Sequence, residues 1–148
     1  MRDGFLDKIE DFEKFYDAVC DLVCKKHGIT QTAFQILFFL SRFPENNTAK
    51  EICNVRCIKS SIASMTIDKL VKKEYLMRKS DPDDRRIQRL ELMPKANDII
   101  QDGISLRDQV MDILFKELTK EEYDLFFLVL DKIHDSVQKI VGEQLIKI

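Results

Sequence analysis

Three arginines, Arg85, Arg86 and Arg89, follow the turn-forming run Asp81-Pro82-Asp83-Asp84. Guanidinium groups present a planar fork of donors that matches phosphate oxygens, so a cluster of them at a loop is suited to holding a polyanion. Asp84, beside two of these arginines, is expected to orient one of them through a charge-assisted hydrogen bond; the plainer alternative is a turn-former. A second constellation is Cys20, Cys24 and His27, one helical turn apart along one face. Such a Cys-x3-Cys-x2-His row can offer three metal ligands or a thiol pair for oxidant sensing. It has no CxxC pair and the only other histidine is His134, so packed core cysteines are the stronger expectation and no metal or cofactor is assigned. Cys53 and Cys57 read the same way, and structural disulfides are not expected. The chain has no Gly-rich phosphate loop, HExxH or GxSxG, which argues against an enzyme.

The charge distribution sharpens the first constellation. Across 148 residues the net charge is −2, too little for indiscriminate attraction to polyanions. Between Lys50 and Lys95, however, 12 basic residues face 7 acidic ones, leaving +5 there and −7 elsewhere. A basic middle between acidic ends defines one contact surface for a polyanion, although charge runs are often only solvated faces. Scarce glycine (4) and proline (3) point to helix, and no apolar run approaches the length of a membrane span. A cytoplasmic protein is expected.

Periodicity supplies the elements. Phe5, Ile9, Phe12, Tyr16, Val19 and Val23 form a helical stripe ending near Lys26, with Gly28 as its stop. The second helix, from Thr30 to about Phe43, is apolar nearly all round and is expected to be the most buried. Thr48 with Glu51 fits a capping box for a short helix 49–55; a break at 56–59 precedes a helix from Ser60 to about Lys73. In that helix Ala63, Ile67 and Leu70 form an inward edge, with Ser61, Ser64, Met65, Asp68 and Lys72 opposite. Residues 75–79 and 87–92 alternate as strands around a long loop. Pro94 opens a helix towards Leu118, and Thr119 with Glu122 opens the last one, which carries Phe126, Val129, Leu130, Ile133, Val137, Ile140 and Val141. This order predicts a mainly α fold with a small β-hairpin wing: a winged helix-turn-helix plus a helical region. The groove-facing candidates are Ser60, Ser61, Ser64, Met65 and Lys69 on the second helix of the pair, with Arg85, Arg86 and Arg89 on the wing.

Leu76-Met77-Arg78, the loop from Asp81 to Arg86, and the pattern Asp84-x-Arg86-x-x-x-Leu90-x-Leu92 resemble the wing of the MarR family, named for multiple-antibiotic-resistance regulators. The resemblance extends through the flanking helices over essentially the whole chain. It implies one domain over 1–148, with DNA-binding elements in 30–93 and helical dimerisation elements in 1–28 and 94–148. It also implies a homodimeric transcription repressor that binds a pseudo-palindromic operator in double-stranded DNA and is released by a small-molecule or oxidant signal. The apolar stripes of the terminal segments fit a dimer or plain intramolecular packing equally well. A small aromatic or lipophilic effector is implied, with Phe12, Tyr16, Phe34, Phe38 and Phe39 as candidate lining, although ten phenylalanines more often mean core. Four positions depart from the family pattern: Met65 where a basic residue is frequent, Glu74 for Gly, Met93 for a capping Thr, and Ala96 for Gly. The competing reading, a winged helix used only for protein interaction, predicts an apolar wing, which the three arginines oppose.

Overall fold

The computed structural model describes residues 4–143, and the side chains of 7–140 apart from Gly4. The stripe positions Phe5 and Val141, and the chain ends, lie outside the described side chains. Six α-helices and one hairpin follow in order: α1 (Phe5–His27), α2 (Gln31–Arg42), α3 (Ala49–Arg56), α4 (Ser60–Lys72), β1 (Leu76–Ser80), β2 (Gln88–Leu92), a 3-10 turn (Pro94–Ala96), α5 (Asn97–Phe115) and α6 (Lys120–Glu143). None of the described helices is long and apolar enough to cross a membrane.

The chain divides into two compact units, 1–107 and 108–148. In the first, α2 is the centre, as its all-round apolarity demands: Ala33, Phe34, Ile36, Leu37, Phe39 and Leu40 are buried. Around it gather Cys20, Val23 and Cys24 of α1, Ile52 of α3, Ile67 and Leu70 of α4, Leu76 and Leu90 of the hairpin, and Ile99 and Ile100 of α5. α1 thus shares one core with the helix-turn-helix. Gly28 closes α1 in the left-handed region at φ 61°, where its amide donates to the Cys24 carbonyl. Gly103 is needed for close approach: a Cβ there would lie 2.9 Å from Phe34 Cε2 and 3.0 Å from Phe38.

Two of the boundary differences from the sequence reading have local reasons. Tyr75 donates its amide to the Leu70 carbonyl and so finishes the helix end before β1 begins. Pro94 has no amide and Met93 supplies no side-chain cap, so the chain enters α5 through a 3-10 turn. In the second unit, Thr119 and Glu122 make the expected reciprocal cap, and Phe115 meets Tyr123, Phe126 and Phe127 at ring separations of 5.3–5.5 Å. Much of the rest of α6 is apolar and exposed, including Leu125, Leu128, Val129, Ile133 and Val137.

Candidate nucleic-acid interface

The helix-turn-helix is set by its caps. Thr48 donates its amide to Glu51 Oε2 (2.9 Å) and accepts the Glu51 amide on its hydroxyl (3.3 Å), fixing the start of α3. Cys57, at φ 52°, turns the chain out of α3, and its amide caps the Cys53 carbonyl. α4 then buries Ala63, Ile67 and Leu70, leaving Ser60, Ser61, Ser64, Met65 and Lys69 exposed. The five sequence-predicted residues therefore all stand on solvent-facing positions of one helix.

β1 and β2 pair antiparallel from Leu76 opposite Leu92 to Ser80 opposite Gln88. The loop between them is organised by Asp81, the only buried charged side chain among the described residues. Asp81 Oδ1 accepts the amides of Asp83 (2.8 Å) and Asp84 (3.0 Å), and Oδ2 accepts from Arg89 Nε (2.5 Å). The same guanidinium donates to Asn47 Oδ1 (2.9 Å), while the Leu90 amide donates to the Asn47 carbonyl (2.8 Å). The wing is thus clipped by side chain and backbone to the segment that leads into α3.

This corrects two expectations. Among the described residues Asp84 orients no arginine side chain; its Oδ1 accepts the backbone amide of Arg86 (3.0 Å), so it forms the turn. The arginine-orienting acid is Asp81, placed by the Asp-Pro turn to reach along the hairpin. Arg89 is not a free wing cation either, because its guanidinium is committed to Asp81 and Asn47. Arg85 and Arg86 are exposed and have no ion pair within the described residues. Asn47 lies 42 residues from Arg89 in sequence, beyond any spacing rule. A further link, Arg78 to Asp68 at 2.6 Å, ties β1 to α4.

Arg89 holds the Asp81 carboxyl below the usual carboxylate range, helped by the amides of Asp84 and Asp83. A carboxyl depressed in the folded state contributes stability above its unfolded pKa of about 3.9, and that contribution is lost as pH falls through the folded value. Asp81→Asn is therefore expected to melt below the wild type at pH 7. The gap should narrow as melting is followed downward from pH 5. A gap that stays constant to pH 3 means the clip owes nothing to the carboxylate charge.

The cysteine row does not assemble a site. Cys20 and Cys24 are buried in the core, and burial pushes both thiols up, away from the thiolate that metal binding or oxidation needs. His27 is instead paired with Asp102, which also takes Lys26 at 2.7 Å. Among the described residues no three His, Cys, Asp or Glu side chains are grouped to hold a metal. Of the five expected effector-lining aromatics, Tyr16, Phe34, Phe38 and Phe39 share a cavity of only about 40 Å³ with Arg42 and Arg56, and Phe12 does not line it. A larger cavity, about 220 Å³, lies between Gly28, Ile29, Thr30 and Ala33 on one side and Thr66, Lys69, Leu70 and Lys73 on the other.

Residues 27–87, which contain the helix-turn-helix and most of the wing, match the MarR family model. An uncharacterised HTH-type transcriptional regulator of Bacillus subtilis, YsmB, is 27% identical over 141 residues, covering 90% of this chain and 96% of its own. The chain belongs to the MarR family. Two solved structures share its fold. A Staphylococcus aureus MepR–DNA complex has TM-score 0.77 at 16% identity, over 93% of this chain and 99% of that one. A Staphylococcus aureus MarR bound to salicylate and kanamycin has TM-score 0.76 at 19% identity, over 92% and 91%. As a MarR-family protein the chain is a transcription regulator whose winged helix is its DNA-binding element.

The departures from the MarR pattern now have structural readings. Glu74 adopts φ 63° after α4, a left-handed conformation that costs a non-glycine residue roughly 1–2 kcal/mol. Lys95 offsets the weakened stop by donating its ammonium to the Lys73 carbonyl at 2.9 Å. Ala96 is fully buried and fits the core without the frequent glycine.

Proposed function

We propose that this chain acts as a homodimeric repressor that places α4 of each protomer in the major groove of a pseudo-palindromic operator and releases it on binding a small aromatic acid. The observation that carries the DNA reading is the clipped wing. Arg85 and Arg86 stand uncommitted on a loop held to the same module as the exposed α4 face. The two half-sites would then lie about 34–36 Å apart. The exposed apolar side chains of α1 and α6 supply the surface for a second copy.

The effector reading rests on the 220 Å³ cavity. An apolar cavity of about 150 Å³ already takes a benzene ring, so this one has room for a ring and a carboxylate. Lys69 and Lys73 border it, and both belong to the α4 region, so an anion seated there competes with phosphate for the same helix. The 40 Å³ aromatic cavity is too small for a ring without rearrangement.

The test is binding of the purified protein to the DNA immediately upstream of its own gene, against scrambled DNA of equal length, with and without millimolar salicylate. Preference for the upstream DNA, weakened by salicylate in the wild type and less so in Lys73→Met, is the expected result. Equal binding to both duplexes sinks the operator reading. Unchanged salicylate sensitivity in Lys73→Met sinks the assignment of the cavity.

A further inference from the structure

We propose that Met65 reads the methyl group of a thymine in each half-site, making that thymine a base on which α4 depends for specificity. The inference rests on the reading of α4 as the groove-entering helix and adds what that helix recognises.

At 3.6 residues per turn, Met65 falls almost directly opposite the buried edge Ala63, Ile67 and Leu70. It is 59% exposed. Ser61 and Ser64 beside it are small, so the methionine side chain stands out beyond both of them. It also lies in the first half of α4, the part of a recognition helix that meets base edges.

The chemistry of the face excludes the commonest alternatives. Guanine is read by the arginine fork or by lysine and adenine by the Asn or Gln amide; α4 contains no Arg, Asn or Gln, and its two lysines, Lys69 and Lys72, lie in its second half, beyond the part that meets base edges. Cytosine offers an N4 donor that an acid could accept, but the Asp68 carboxylate of this face is already engaged by Arg78. Lys69 and Lys72 flank the face as compact charges suited to phosphate. What remains at the centre is an exposed, polarisable thioether chain. The one apolar group on any base edge in the major groove is the thymine C5 methyl. Flexible methionine can reach it, and the contact removes apolar surface from water on both sides.

The test begins with selection of duplexes from a random library by the full-length protein. Binding is then measured on the best duplex after replacing each thymine, one position at a time, by deoxyuridine, which keeps pairing and removes only the methyl. One thymine per half-site should cost about fourfold in affinity, or about fifteenfold when replaced in both half-sites, as expected for one buried methyl each. In Met65→Ala the same replacement should be nearly neutral, and in Met65→Leu the penalty should persist. Because residue 65 is exposed, circular dichroism of each variant should match the wild type. A uridine penalty undiminished in Met65→Ala, or no sensitive thymine at all, overturns the proposal. If selection yields no duplex bound better than scrambled DNA, the operator reading fails first, before any uridine is introduced, and this proposal falls with it.

Discussion

Leu125→Glu combined with Leu128→Glu is expected to turn the protein into a monomer and to lower operator affinity by roughly 10²–10⁴-fold, the gain ordinarily supplied by tethering two binding modules. Leu125 and Leu128 are 59% and 53% exposed on α6. Val129, Ile133 and Val137 extend the apolar surface along the same helix. In a symmetric interface each substitution enters twice, so the double variant sets four carboxylates into a desolvated surface. Each monomer then engages one half-site alone. The substitutions lie outside the unit that carries the helix-turn-helix, so the core around α2 is left as it is. Sedimentation of the variant and its titration onto the selected duplex give the two readouts. A monomer that keeps wild-type affinity removes the need for two half-sites, and a variant that stays dimeric places the interface elsewhere.

How much of this was legible in the sequence follows from the range of each interaction. The capping boxes at Thr48 and Thr119, the inward edge of α4 and the burial of α2 depend on neighbours a few residues away, and periodicity exposes them. The exposed positions of Ser60, Ser61, Ser64, Met65 and Lys69 follow from that same inward edge. The wing clip is not legible in the sequence because its partners are set by folding. Asp81 and Asp84 look alike in sequence, and only the hairpin register brings Asp81 to Arg89. Asn47 reaches the same guanidinium only once its segment lies beside β2, where Thr48 bridges Arg89. Cys20 and Cys24 are the packed core cysteines that the sequence favours, and the reason the row with His27 does not act as a ligand set is again tertiary. Helical spacing places three groups on a face, but the core claims the thiols and Asp102 of α5 claims the imidazole.

The distinction between Arg89 and its two neighbours leads to the second large effect. Arg85→Ala/Arg86→Ala removes four cations from a dimer. Each phosphate neutralised contributes about −0.9 to the slope of log affinity against log salt, so the slope should become shallower by between three and four. Affinity near 150 mM salt should drop by roughly 10²–10³-fold. Neither side chain has an ion pair to lose within the described residues, so the melting temperature should hardly move. Arg89→Met should behave in the opposite way. Its guanidinium is spent on Asp81 and Asn47, so its removal leaves the buried Asp81 carboxylate without its strongest partner and frees the wing from the turn before α3. The expected result is a lower melting temperature and weaker DNA binding with the salt slope unchanged, because no phosphate contact has been removed. Titrations of the three proteins between 50 and 200 mM salt separate the roles. A shallower slope in Arg89→Met would return Arg89 to the DNA-contacting set, and an unchanged slope in Arg85→Ala/Arg86→Ala would take the wing tip off the phosphate backbone.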